Sequence, residues 1–411
     1  MDYTQAIKRL SGMPDRSGKE VTTLTDAMHS VGGVFSGYGY TPVDVPLLEN
    51  TELFLINSGE RVTSSLYSFT EPGGRNVSLR PEFTASIARH FLETNDFDKL
   101  PFKASYGGPV FRFQNSDDSL RQFTQLGVEL IGDGTPKADG SLVELALAAL
   151  ASLGIRETTL TIGHVGIINS IYDQLTLPAR IKSYLVNSLL SIKEKTVCYD
   201  DLREGVDRLL GRTPSRQLSS TKLSKNVLSN QDIRAVFGEL YEELGEGFLC
   251  GRDFNDISTN YLLKLTDIGN TKNLKKALDI TKGIADLKGK PGTITKQLKS
   301  FLKEYGLSVN SVDQLARLED ELLATETQGA SITIDLATVR DQQYYSGMIF
   351  DLYVGSGATQ LLIGGGGRYD GLLTALGSSK PFPACGFAIS LEPLLYRKYL
   401  SEKAKSNNDS S

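Results

Sequence analysis

The sequence predicts an α+β fold, an antiparallel sheet flanked by helices and interrupted by a long helical insertion. Two observations predict it. Helical and strand periodicities alternate from Thr22 to Ala151; strand character then lapses over roughly residues 178–329 and returns between Ser331 and Ile363. A sheet domain that takes its last strands from beyond a helical excursion is the simplest layout for that order. The expected organisation is a first part of the sheet domain at 1–177, the insertion at 178–329, the second part at 330–400, and a polar tail at 401–411 with the composition of a disordered segment.

Each element has a local reason. Apolar residues at helical spacing over 24–35 give a first helix. Residues 40–48 are strand-like but broken by Pro42 and Pro46, which lack the N–H a ladder needs. A helix over 84–92, strands at 104–113 and 123–131, a helix over 142–153 and a strand at 158–162 follow from the switch between the two periods. The middle is helical in pattern, with polar breaks near 213–220 and 288–292. Strands are expected again at 331–336, 348–354 and 360–363, the last running into a turn at Gly364-Gly365-Gly366-Gly367, with a helix after Ser390.

Composition excludes several functions. The chain has 411 residues, 40% hydrophobic and 23% charged, enough for two or three domains with a sizeable core. No apolar run reaches membrane-spanning length, and Met1-Asp2-Tyr3-Thr4-Gln5 is neither a basic nor an apolar leader, so a cytoplasmic protein is expected. Cys198, Cys250 and Cys385 are odd in number and far apart, and His29, His90 and His164 are equally scattered, so neither a disulfide framework nor a metal site is expected. No cofactor motif is present, since the glycine run lacks the Gly-Lys-Ser/Thr ending of a phosphate-binding loop. Forty-four basic against 49 acidic residues leave a net charge of -5, without the footprint of a nucleic-acid binder. Ten lysines between Lys264 and Lys303 face only Asp267, Asp279 and Asp286; this is either a solvated helical surface or a face toward RNA or a partner.

The strand at 123–131 carries the clearest chemical pattern. Alternation places Phe123, Gln125, Gly127, Glu129 and Ile131 on one face. An amide and a carboxylate then flank a glycine that leaves room for a ligand above the backbone, such as a ring that both donates and accepts hydrogen bonds. The alternative is a half-exposed face with two ordinary polar residues. Upstream, Leu79-Arg80-Pro81-Glu82-Phe83-Thr84 is a helix start by its proline and its first-turn acid. Tyr344-Tyr345, taken alone, is a pair of core aromatics.

Together these segments resemble, in order, the signatures of histidyl-tRNA synthetases, a class II synthetase family. Residues 37–60 are similar to motif 1, Arg121-Gln122-Phe123-Thr124-Gln125-Leu126-Gly127-Val128-Glu129 to motif 2, and Cys385-Gly386-Phe387-Ala388-Ile389-Ser390-Leu391-Glu392-Pro393 to motif 3. Ile334 to Gly347 and Leu361 to Gly371, ending in Arg368-Tyr369-Asp370-Gly371, resemble the two histidine-specific signatures. The resemblance implies a class II synthetase-like fold and a histidine pocket. Glu82 and Thr84 would meet the α-amino group, Gln125 and Glu129 the substrate, Arg340 its carboxylate and Tyr345 its imidazole, with Arg112, Tyr344 and Tyr369 completing the pocket.

Three departures point to one branch. Pro393 stands where the family places the motif 3 arginine that grips the ATP γ-phosphate, and proline offers no charge and no N–H. Gln114 replaces the glutamate that contacts adenine, and only Tyr396–Ser411 follow motif 3 where synthetases carry an anticodon-binding domain. Asp341-Gln342-Gln343 also stands where Gly-Leu-Asp is common. Such a chain resembles the regulatory subunits of ATP phosphoribosyltransferase, which commonly carry the Gly-His-Val-Gly seen at Gly163-His164-Val165-Gly166. That branch implies no catalysis of its own, free histidine as ligand, a homodimer through motif 1, a hetero-oligomer (such as a hetero-octamer) with the short-form catalytic subunit in the first step of histidine biosynthesis, and no tRNA. The alternative is a divergent active ligase.

Overall fold

The computed structural model describes residues 8–56, 63–94, 97, 99–116, 119–210, 273–340, 344–357 and 360–394. Asp341-Gln342-Gln343, Ser58-Gly59-Glu60, the polar break at 213–220, Lys264, Lys272 and the tail at 401–411 lie outside the described residues. The chain divides into two compact units, one of Ile171–Gly283 and one of Met1–Ser170 with Ile284–Ser411. The Ile171–Gly283 unit is narrower than the 178–329 expected for the insertion, because residues 284–329 group with the sheet.

Twelve strands are described: β1 (Thr41–Pro42), β2 (Leu48–Asn50), β3 (Tyr67–Thr70), β4 (Asn76–Leu79), β5 (Phe102–Phe111), β6 (Gln122–Ile131), β7 (Thr158–His164), β8 (Lys288–Gly289), β9 (Ser331–Asp335), β10 (Met348–Val354), β11 (Leu361–Arg368) and β12 (Ala384–Ser390). Nine of them form one sheet in the order β1-β5-β6-β12-β11-β10-β7-β9-β8. From β5 to β7 every pairing is antiparallel, as expected, while β1 joins β5 and β9 joins β7 in parallel. The proline-broken segment makes two short strands: β1 lies at the sheet edge, where Pro42 needs no partner, and β2 pairs with β4 in a separate three-stranded sheet with β3.

One departure from expectation matters for the site. The glycine run is strand, not turn: β11 continues through Gly364-Gly365-Gly366-Gly367 and pairs with β10 on one side and β12 on the other. The neighbours explain the composition. A Cβ on Gly366 would stand 2.0 Å from the Gly386 carbonyl oxygen, and one on Gly364 would stand 2.2 Å from that of Ala388. Glycine is present because the chains approach too closely for a side chain.

Helices cover one face. α1 (Lys19–Gly37) and α4 (Pro136–Ser152) pack together, and α4 also packs against α10 (Val312–Ala324). Phe35 of α1 meets Phe387 of β12 edge-on with centroids 5.8 Å apart, tying helix layer to sheet. α4 starts earlier than the apolar pattern suggested, since Thr135 caps it by accepting from the Ala138 N–H at 3.3 Å and Pro136 opens its first turn. The start of α9 (Ile294–Glu304) is capped from another helix: the Ile294 and Thr295 N–H groups both donate to Glu319 Oε1 of α10 at 3.1 Å. Glu319 is buried, so Glu319→Ala leaves two donors without an acceptor and is expected to cost about 1–3 kcal/mol in urea denaturation.

In the other unit, α6 (Ala179–Lys193) buries Ile181, Leu185 and Leu189, and α7 (Tyr199–Leu209) buries Leu202 and Val206. α7 begins at a reciprocal cap, in which the Cys198 N–H donates to Asp201 at 2.9 Å. Tyr172 and Thr281 share a buried hydroxyl–hydroxyl hydrogen bond of 2.7 Å.

Candidate functional site

Opposite the helix layer, the sheet register builds a trough with almost no side chains on its floor. Asp351 of β10, Gly365 of β11, Ala388 of β12, Gly127 of β6 and Tyr106 of β5 stand opposite one another in one row. Two residues along, on the same face, Ile349, Gly367, Gly386, Glu129 and Ala104 form the next. Of six positions in these rows, the three central strands present Gly365, Ala388, Gly127, Gly367 and Gly386 at five, and Glu129 at the sixth. Polar side chains rooted at the rim can then lie flat on the backbone.

They do so at three points. A Cβ on Gly127 would meet the Tyr106 hydroxyl at 2.4 Å, one on Gly365 would meet Arg340 Nη2 at 1.9 Å, and one on Gly386 would meet Glu129 Oε2 at 1.7 Å. The room over Gly127, expected for a ligand, is thus taken by Tyr106. Gly365→Ala would also bring its methyl to 2.2 Å from the Phe350 carbonyl oxygen, where no side-chain movement gives relief. The variant is expected to lose about 1–3 kcal/mol or more, seen as a fall in the urea midpoint.

Glu129 is the hub at one end. The Thr84 hydroxyl donates to its Oε1 at 2.7 Å, the Tyr106 hydroxyl to the same atom at 3.0 Å, and the Tyr369 hydroxyl to Oε2. Burial raises its pKa to about 8 even though the hydroxyl bonds pull it down. Burial likewise raises Tyr369 and Tyr106 further above the phenol range, with the Glu129 carboxylate adding to it. Tyr369 is wholly buried in an apolar cluster with Phe91, Leu372 and Phe382, and Tyr344 and Tyr345 pack against that cluster. Tyr344 meets Tyr345 at 4.9 Å and Tyr369 edge-on at 5.7 Å. The rings are fixed by hydrophobic packing and the Tyr369 hydroxyl faces the hub.

Glu82 stands at the start of α3 (Thr84–Thr94), where its carboxylate accepts from the Thr84 N–H and, at 3.0 Å, from the Ala85 N–H. Burial raises its pKa against those bonds and the nearby Arg112 charge. Arg112 donates to the Pro81 carbonyl oxygen at 2.8 Å and lies over the Phe123 ring; burial lowers its pKa and Glu82 opposes the shift. Helix capping is thus real here, and it coexists with electrostatic coupling between Glu82 and Arg112.

Two polar atoms remain unmatched. Gln125 Oε1 and Arg340 Nε are buried and have no partner among the described residues. One is an acceptor and the other a donor, and each is costly to leave unpaired in a dry site. Arg340 Nη2, by contrast, donates to Asp351 and to the Gly364 carbonyl oxygen at 3.3 Å. Burial disfavours the guanidinium charge, but Asp351 and the two tyrosines outweigh it and its pKa rises.

Glu82, Thr84, Arg112, Gln125, Glu129, Arg340, Tyr344, Tyr345 and Tyr369 all reach this trough or its walls. Tyr106 and Asp351 belong to it too and were not singled out in the sequence. Tyr106 could have been found only by pairing β5 with β6, while Asp351 did leave a signal, a lone carboxylate in the apolar run Met348–Val354. His164 lies elsewhere as a structural histidine: its Nδ1 accepts from the Ile167 N–H at 3.2 Å, and burial lowers its pKa to about 4. At the end of β12, Glu392 accepts from the Thr124 N–H at 2.7 and 2.8 Å and pairs with Arg16 at 2.6 Å, directly ahead of Pro393.

Comparison with known proteins agrees with this fold. A histidine–tRNA ligase of Pyrococcus furiosus is 30% identical over 397 residues, spanning 95% of this chain and 74% of its own. An ATP phosphoribosyltransferase regulatory subunit of Halothermothrix orenii is 28% identical over 376 residues, 90% of this chain and 71% of its own. A crystal structure from Bacillus halodurans, described as an ATP phosphoribosyltransferase regulatory subunit/histidyl-tRNA synthetase, superposes with a TM-score of 0.68 at 22% identity, covering 96% of this chain and 84% of that one. These likenesses fit the class II synthetase fold, and the histidyl-tRNA synthetase family model matches residues 12–211 and 254–394, so this chain belongs to the histidyl-tRNA synthetase family.

Proposed function

We propose that the chain is a non-catalytic member of this family that binds free histidine in the cytoplasm and regulates a short-form ATP phosphoribosyltransferase with which it assembles. The observation that carries the reading is Pro393, which directly follows the anchored Glu392 and cannot supply a charged donor to phosphate, while the polar residues of the trough are kept. In this reading Glu82 and Thr84 take the α-ammonium, Arg340 the carboxylate, and Gln125, Glu129, Tyr345 and Tyr369 the side chain, with Arg112 and Tyr344 closing the walls. Glu129 and the Gly365 floor below Arg340 are two strands across and one two-residue step along, roughly 12 Å at the usual strand spacing and rise. That span suits an extended amino acid with a ring. Dimerisation would run through the segment that resembles motif 1. Regulation requires that histidine bind one state of the assembly more tightly than another.

A second reading, an active ligase, is favoured by the name of the Pyrococcus relative and by the retained Arg112. ATP–pyrophosphate exchange with histidine separates the two. No exchange is expected at any ATP concentration, and exchange in the unmodified protein would establish the ligase.

Binding itself has a cleaner probe in Gln125. Histidine at about 100 times its dissociation constant should stabilise the protein by about 2.7 kcal/mol. Because Gln125 Oε1 has no partner among the described residues, Gln125→Met should still fold, yet it should lose most of the histidine-dependent shift in Tm. An unchanged shift would place histidine elsewhere.

A further inference from the structure

The trough contains one charged residue with no role so far, Asp351. It stands at the β10 end of the row that runs through Gly365, Ala388 and Gly127 to Tyr106. Its neighbours in the strand, Phe350 and Leu352, are fully buried, and its own side chain is 16% exposed. A carboxylate has no packing reason to be here. Arg340 gives it one, since the guanidinium comes from the segment after β9, crosses the bare backbone of Gly365 and ends on Asp351.

The described anchors on that guanidinium converge on one atom. Asp351 and the Gly364 carbonyl oxygen both accept from Nη2, while Nε is buried with no described acceptor. Asp351 is the stronger of the two anchors because it is charged. It therefore sets which edge of the planar fork is held by the protein and which is left for a ligand. Glycine at 365 is the complementary condition, because any side chain there would push the fork off the sheet.

We propose that Asp351 is a positioning residue for carboxylate recognition: by clamping Arg340 Nη2 over Gly365 it aims the remaining guanidinium donors at the carboxylate of an amino-acid ligand. The proposal rests on the reading that the trough takes histidine, and its test keeps the two apart. Asp351 need not touch the ligand. Its removal should act only through Arg340, and only on ligands that carry a carboxylate.

Histidine and histidinol, which has a hydroxymethyl group in place of the carboxylate, supply the contrast. Their dissociation constants are measured by calorimetry on the full chain, unmodified and as Asp351→Ala, Asp351→Asn, Arg340→Met and the Asp351→Ala/Arg340→Met double variant. Loss of one charge-assisted hydrogen bond corresponds to about 10- to 100-fold in affinity. Asp351→Ala should weaken histidine by at least about 10-fold, change histidinol by less than about 3-fold, and bring the histidine-to-histidinol ratio close to that of Arg340→Met. The double variant should be no weaker for histidine than Arg340→Met alone, the sign of two residues acting as one unit. Asp351→Asn keeps the shape and one acceptor oxygen and should fall between Ala and the unmodified chain, which preserves the test if the alanine variant fails to fold.

A histidine-to-histidinol ratio of dissociation constants that stays unchanged or falls in Asp351→Ala and Asp351→Asn would overturn the proposal, since Asp351 would then be a bystander or a competitor for Arg340. Additive losses in the double variant would overturn it as well. Failure of the unmodified chain to bind either ligand would instead strike at the histidine-binding reading, and the proposal would fall with it.

Discussion

Urea denaturation followed from pH 5 to pH 9 is expected to show a loss of stability on the alkaline side that a Glu129→Gln variant does not share. In the folded chain burial holds the Glu129 carboxyl at about 8, against an ordinary value of 4.5. The native state therefore binds a proton that the unfolded state has released over that interval, and stability falls as pH rises through it. The contribution is complete below about pH 4.5 and gone above about pH 8. At about 1.4 kcal/mol per pKa unit, the full swing is on the order of 5 kcal/mol. Glu82, whose pKa burial also raises, slopes the same way; His164, held down at about 4 by burial, gains stability as pH rises through its ordinary 6.5. Both are present in the unmodified chain and the variant. The difference between the two curves thus isolates Glu129, and parallel curves would show that the three hydroxyls stabilise its charge more than burial opposes it.

Arg368→Met is expected to be among the most damaging single substitutions, at about 3–5 kcal/mol. Arg368 bonds Asp139 of α4 at 2.8 and 2.9 Å, Asp370 at 3.1 Å, and the Asp133 carbonyl oxygen at 3.1 Å. Asp139, with a side chain 12% exposed, would be left as a buried charge without its partner, while Asp370 would turn to solvent. Thermal denaturation of Arg368→Met and of Arg368→Met/Asp139→Leu provides the measurement. The double variant should recover a large part of the loss, because the damage comes from the stranded carboxylate more than from the missing pair.

How far the site could be seen in the sequence depends on how local its causes are. The face of β6 bearing Gln125 and Glu129 was legible, because strand alternation is a property of consecutive residues. β7, β9 and β10 were legible to within a residue or two at their ends for the same reason. The four glycines of β11 misled, since by themselves they favour a turn, and only the closeness of β10 and β12 makes them strand. Tyr106 over Gly127 and Arg340 over Gly365 depend on cross-strand register between segments far apart in the chain, which no window of sequence contains. The limits of the helical unit were also hidden: α9 and α10 have the same amphipathic pattern whether they pack on the sheet or stand apart from it.

The strand order has a consequence for how this protein comes into being. β5, β6 and β7 are synthesised early, yet β6 and β7 are not neighbours; the β10-β11-β12 meander lies between them as a three-strand keystone. Until residues 348–390 arrive, two strand edges stand open with unpaired amides and carbonyls, and the trough has no floor. Contacts that span more than 180 residues are slow to form, and open edges invite pairing with other chains in the meantime. A nascent or truncated chain ending before β10 should therefore be a client for chaperones and prone to aggregate. The trough is then a late product of folding, and a ligand that fits it can act on the last step of maturation as well as on the finished protein.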